Sequence, residues 1–195
     1  VTVTAEDDGE VFSIGELDLD AAGQVVPTVS GGNITTAGDQ NITVDADGVS
    51  NDTATLTVEP ADAVELNISD VGTDPVTAGN DTELTVEVRD EFDNLVDDNQ
   101  TQLDNLTITS EFDQDGDVFG PSDEAITGSD TFTASNLTEA AGAHELTVSA
   151  DGVSNATVAV QVNAASAATL AVDNVTVRSD DANQAVVATL EDRFG

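Results

Sequence analysis

The pattern richest in chemistry along this chain is Asn-x-Ser/Thr, with x other than Pro, the acceptor for N-linked glycans. It occurs at Asn33, Asn41, Asn51, Asn67, Asn80, Asn99, Asn105, Asn136, Asn155 and Asn174, ten of the 13 asparagines. The Ser/Thr content alone would give about two or three such sites. Thr-rich strands beside Asn-containing turns raise that expectation without reaching the ten observed. Glycans are bulky and solubilising and belong on exposed positions of exported proteins. The excess therefore points to N-linked glycans and an extracellular or cell-surface location.

A second pattern is acidic. Asp113, Asp115 and Asp117 stand two apart, like the opening ligands of a calcium loop, whose cation takes about six to eight oxygens. Gly116 falls between the second and third carboxylates, and no Glu occupies the place of the last ligand. An acidic turn solvated by water and salt cations is the plainer reading. Asp90, Asp93, Asp97 and Asp98 cluster in the same way in the preceding loop, where calcium or other salt cations would stiffen an extended molecule. His144 is the only histidine, which leaves no His-based triad or metal cluster, and it reads as filling an aromatic position in a strand. Neither a serine elbow, a phosphate-cradling loop nor an aromatic stacking platform is present. An enzyme is not expected, and no cofactor is required.

Forty acids face three bases, all Arg, for a net charge of -37. Self-repulsion on that scale opposes a compact state. It is compatible either with disorder or with concentrated salt, where the Debye length falls to about 3 Å at 1 M. The acids sit at turns and at alternate positions of Val/Thr/Leu runs, not in blocks, which favours a folded protein of a salt-rich environment. Nucleic acid and anionic membrane would be repelled as partners. No apolar run is long enough to span a bilayer, so direct membrane insertion of this segment is not expected. The absence of cysteine leaves the redox compartment unread.

The elements that must carry these residues are strands. VTVTAE from Val1, QNITVDA from Gln40, NDTATLTV from Asn51, VELNI from Val64 and TELTVEV from Thr82 alternate with period two. So do LTITS from Leu106, the runs near Glu145–Ala150 and Asn155–Val162, and Leu170–Val177 with Gln184–Leu190. Asp47-Gly48 reads as a tight hairpin turn, because Gly accepts positive φ. The phrase DADGVSN at Asp45 returns as SADGVSN at Ser149, placing Gly48 and Gly152 104 residues apart. VTVTAE lies over LTITSE at Leu106, DDGEVF over DQDGDVF, and VEVRDEFD over VATLEDRFG, with every offset between 102 and 107.

The chain is thus an all-β array of tandem immunoglobulin-like sandwiches of about 104 residues. Residues 1–59 form the back part of one unit, 60–162 a complete unit, and 163–195 the front part of a third. The partial units are expected to be completed by chain outside this stretch or by a neighbouring subunit.

The segments VTAGNDTELTVEVRDEFDNLV and AGAHELTVSADGVSNATVAVQV resemble the bacterial Ig-like repeats of invasin- and intimin-type adhesins. With the acid excess, the chain is also similar to repeats in haloarchaeal surface or filament glycoproteins. In that pattern Asp93 stands where a loop Gly is common (Gly195 keeps it), Leu95 where Pro is usual, and His144 where an aromatic is usual. The resemblance implies a rod of Ig-like sandwiches in a filament, surface layer or stalk. Such a subunit would self-associate head to tail or join other surface proteins. The alternative is an adhesin module that binds a receptor or carbohydrate through its loops. Dialysis from molar salt into water should unfold the chain as screening is lost. Circular dichroism unchanged across that range would contradict the salt-dependent reading of its charge.

Overall fold

The computed structural model describes residues 1–7, 10–16, 18–24, 26, 34–97, 102–110, 124–134, 141–179 and 185–195. These residues are all-β, with no helix among them. The first segment holds β1 (Thr2–Asp7), β2 (Glu10–Glu16), β3 (Gly38–Asp45) and β4 (Asp52–Val58). They form one antiparallel sheet in the order β2-β1-β3-β4.

The central segment holds β5 (Ala63–Val71), β6 (Val76–Thr77), β7 (Thr82–Asp90) and β8 (Leu103–Ser110). It continues with β9 (Glu124–Ile126), β10 (Ser129–Ala134), β11 (Gly142–Ser149) and β12 (Ala156–Asn163). Two sheets result, β10-β7-β5 and β6-β12-β11-β8-β9. The chain leaves the first sheet after β5 and joins the second as β6, pairing parallel to β12 through Val162↔Val76. Two antiparallel sheets with a first strand split between them are the arrangement of an immunoglobulin-like sandwich.

Alternation decides which face of each strand is buried. In β7 the inward set is Thr82, Leu84, Val86, Val88 and Asp90; in β11 it is His144, Leu146 and Val148. Leu66, Leu84, Val86, Val88 and Phe132 from one sheet share a single apolar cluster with Leu106, Ile108, Leu146, Val148, Val160 and Val162 from the other. His144 takes the inward position expected of it, at 2% exposure.

The third segment contributes β13 (Thr169–Val172) and β14 (Ala188–Glu191), paired antiparallel. Both strands are shorter than the alternation of the sequence suggests. Their inward side chains meet no facing sheet among the described residues: Leu170, Val172 and Leu190 are all exposed.

Asp47-Gly48 also departs from expectation. The strands stop at Asp45 and resume at Asp52, and the turn spans Ala46–Val49, closed by the Val49 N–H donating to the Ala46 carbonyl at 3.3 Å. Gly48 still takes positive φ, 84°, at the third turn position. The matching connection in the central segment is tied to a neighbouring strand. There the Ser154 N–H donates to the Val64 carbonyl (2.8 Å) and the Leu66 N–H to the Ser154 carbonyl (3.0 Å), tying the loop to β5.

Pairing registers recur along the chain. Val44↔Val3 in the first segment corresponds to Val148↔Ile108 in the central one. Leu170↔Leu190 in the third corresponds to Leu66↔Val88. Leu84→Ala should cost about 2–5 kcal/mol, whereas Val49→Ala, at an exposed turn position, should stay within about 0.5 kcal/mol. Denaturation in molar salt measures both, and equal effects would contradict the central core.

Candidate functional site

The last inward position of β7 is filled by an acid. Asp90 is 1% exposed, and its two oxygens are occupied by four donors. Oδ1 accepts from the Phe92 and Asn94 N–H groups, both at 2.9 Å. Oδ2 accepts from the Ala61 N–H at 2.8 Å and from the Asn94 side-chain amide at 2.9 Å. A buried carboxylate is tolerated when its lone pairs are satisfied in this way. Burial is the largest influence and on its own would raise the pKa. The Asn94 side chain and the Ala61, Asn94 and Phe92 N–H groups together outweigh it and hold the carboxyl below its ordinary value.

Ala61 belongs to the linker that enters β5, so Asp90 ties the linker to the end of the central sandwich. Asn94 extends the network backwards. Its Nδ2 donates to the Thr35 carbonyl at 2.7 Å, and its Oδ1 accepts from the Ala37 N–H at 2.9 Å. Thr35 is in turn held by Asp7, which accepts from the Thr35 N–H (3.1 Å), the Thr35 hydroxyl (3.2 Å) and the Thr36 N–H (2.9 Å). The Thr35 N–H is the main cause of the lowered Asp7 pKa. The result is a polar path from Asp7 through Thr35 and Asn94 to Asp90 and Ala61, joining the first segment to the central one. Beside it, Arg89 donates to the Glu87 carboxylate and to the Asp93 carbonyl, and its hydrogen bond lowers the Glu87 pKa.

The same knot recurs at the end of β14. Asp192 accepts from the Phe194 N–H at 2.8 Å and from the linker Ala165 N–H at 2.7 Å, and those two bonds, in that order, lower its pKa. Here the joint adds an apolar contact. A Cβ placed on Gly79 would fall 2.5 Å from Phe194 Cζ, so only glycine lets the ring approach. The Arg193 guanidinium lies 4.5 Å over that ring, a cation–π distance. The loop position where the family resemblance expects Gly has positive φ in both copies, 68° at Asp93 and 108° at Gly195. That is the backbone reason for the glycine preference there.

The described sequons, Asn41, Asn51, Asn67, Asn80, Asn105, Asn155 and Asn174, are all exposed. Asn41 donates to Glu6 at 2.7 Å and Asn67 to Glu87 at 3.4 Å on outer sheet faces. The sequon at Asn80 differs, because its Thr82 is 2% exposed. That hydroxyl donates to the Thr73 carbonyl at 2.9 Å and accepts from the Thr73 N–H at 3.0 Å, so the Thr has a structural use of its own. Asn33, Asn99 and Asn136 lie outside the described residues, as do Asp98 and the acidic run Asp113, Asp115 and Asp117. Among the described residues no group of His, Cys, Asp or Glu is arranged to hold a metal ion. Asp90, grouped by sequence with Asp93 and Asp97, has its oxygens filled by N–H donors instead. Among the described residues no helix is long and apolar enough to cross a membrane.

No protein-family model matches the sequence, and no curated protein matches it. Among solved structures, the chain is similar to a glycosyl hydrolase family 2 member from Bacteroides cellulosilyticus. The identity is 17% over 83% of this chain and 21% of that one, with a TM-score of 0.45. A β-glycosidase from Bacteroides vulgatus is similar at 14% identity over 83% and 21%, TM-score 0.43. Domains 1–6 of surface layer protein SbsC are similar at 19% identity over 88% and 21%, TM-score 0.40. The chain therefore spans about a fifth of each, and at these scores none of them assigns it a function.

Asp90→Ala would empty a buried position and leave four part-buried donors without their acceptor, and should cost about 2–4 kcal/mol. The lowered pKa makes the Asp90 contribution complete above the ordinary carboxylate range and lost as pH falls through the folded value. In molar salt, thermal stability should decline below about pH 4, and Asp90→Asn should remove part of that decline. A variant whose pH profile overlays the parent would contradict the joint.

Proposed function

We propose that the chain is a structural part of an extracellular, N-glycosylated assembly of a salt-rich environment, built from stacked Ig-like sandwiches as a filament, surface layer or stalk. The observation that carries this reading is the recurring joint, in which Asp90 and Asp192 each capture the N–H of the linker entering their own sandwich. A binding module needs a presented loop, whereas the buried Asp90 holds the linker of its own sandwich and the Asn94 that reaches the preceding segment. Exposure of the asparagine of every described sequon supports glycosylation, and Asn51 and Asn155 occupy equivalent places beside equivalent turns. The acid-rich surface supports a salt-rich setting, with solvent cations and glycans keeping neighbouring sandwiches hydrated. The similarity to bacterial Ig-like repeats in haloarchaeal surface glycoproteins agrees with this role.

The test is protease shaving of intact native cells followed by mass spectrometry of Asp-N peptides. Peptides spanning Asn67 and Asn155 should be released from the cell surface carrying glycan mass. Recovery of both only after lysis, and only at bare peptide mass, would contradict the proposal.

A further inference from the structure

A glycan acceptor is three residues long, and its Ser/Thr hydroxyl is recognised together with its asparagine. At Asn67 and Asn155 both ends are presented, because Ser69 and Thr157 are exposed along with their asparagines. Asn67 stands on the outer face of β5, between the inward Leu66 and Ile68. Asn155 leads from an exposed turn into β12.

Asn80 is exposed as well, yet its sequon is built differently. Thr82 is the first inward residue of β7 and is 2% exposed. Just before it the chain has switched sheets, leaving β5 at Val71 and entering β6 at Val76. The Thr82 hydroxyl closes that excursion by bonding both the N–H and the carbonyl of Thr73. The backbone adds to the closure: the Gly72 N–H donates to the Glu83 carbonyl at 2.8 Å, and the Asn80 N–H to the Thr77 carbonyl at 2.9 Å. Thr82 also pairs with Ala134 of β10. On the other side of Asn80, Gly79 is covered by Arg193 and Phe194 of the third segment.

We propose that the fold sorts these sequons, so that Asn67 and Asn155 carry glycans while Asn80 stays bare. The proposal rests on the reading of the chain as an N-glycosylated surface protein and names its modified positions. In the transfer, the asparagine Nδ2 attacks the anomeric carbon of a lipid-phosphate-linked saccharide. The N–C bond forms as the C–O bond to phosphate breaks. The phosphate leaves with the electron pair, and Nδ2 yields a proton to the transferase. Asn67 and Asn155 can be seated for this step with their strands intact. Seating Asn80 with its hydroxyl requires Thr82 to leave the core, breaking both bonds to Thr73 and the pairing with β10. A glycan attached before folding would instead compete, by its bulk, with Arg193 and Phe194 for the surface beside Gly79. Either order of events leaves Asn80 bare in the mature protein.

Asp-N digestion of the native protein puts the three sites on separate peptides, 62–69, 74–80 and 151–172. Peptides 62–69 and 151–172 should carry glycan mass. Peptide 74–80 should carry it about tenfold less often or not at all, since transfer there waits on local opening of the sheet. Asn80 occupied as fully as Asn67 would overturn the proposal and leave the glycosylated surface role standing. Bare mass at all three sites would reject N-glycosylation of the chain and this inference with it.

A second measurement assigns the cause. Membranes from the native cells, supplied with saccharide donor, are offered the unglycosylated chain folded in molar salt and a synthetic peptide of residues 76–86. The peptide should take glycan at Asn80, whereas the folded chain should take it at Asn67 and Asn155 and not at Asn80. A peptide refused as firmly as the folded chain would trace the bare site to its local sequence and overturn the role given to the fold.

Discussion

One hydrogen-bonded acid organises the way these sandwiches follow each other. Asp90 ends the central strand of its sheet, faces inward, and gathers the linker N–H of Ala61, the two loop N–H groups of Phe92 and Asn94, and the Asn94 side chain. Each of those groups is a donor at a part-buried position that the carboxylate satisfies. Because the same side chain of Asn94 reaches Thr35 and Ala37 in the preceding segment, the position of one sandwich is written into the loop of the next. Asp192 repeats the arrangement with Ala165 and Phe194, so the joint is part of the repeat.

The extreme surface charge gives the joint a reason to be built from short, saturated hydrogen bonds. In concentrated salt, exposed ion pairs are screened and contribute little, and three arginines cannot neutralise forty acids. A carboxylate withdrawn from solvent and satisfied by backbone N–H groups is screened far less. Apolar contact supplements it where sequence allows: Phe194 against Gly79 at one joint, with Phe92, its counterpart, 45% exposed at the other.

Much of the fold was legible from alternation alone. TELTVEV from Thr82 reads as a strand, and its burial alternates residue by residue. The 104-residue spacing of Gly48 and Gly152 foretold the recurrence of register. The joint was harder to see. Among so many acids, a buried one has no distinguishing composition, and Asp90 grouped naturally with Asp93 and Asp97 as a cation loop. The available signal was positional: Asp90 and Asp192 each close a strand and precede a Phe by two residues. Thr82 was obscured for a similar reason, since its sequon with Asn80 masks a buried hydroxyl that bridges Thr73. Strand ends in the third segment were read too long because alternation reports which face is apolar and not the residue at which pairing stops.

The most direct measurement is the distance between successive sandwiches in solution. Spin labels at the exposed positions Thr55 and Thr131 span the Asp90–Asn94 joint without touching it. Pulsed dipolar spectroscopy in molar salt should return one narrow distance distribution, as two bodies held by a saturated polar joint require. A broad or multiply peaked distribution would show that the sandwiches pivot freely on their linker and would contradict the central role of the joint.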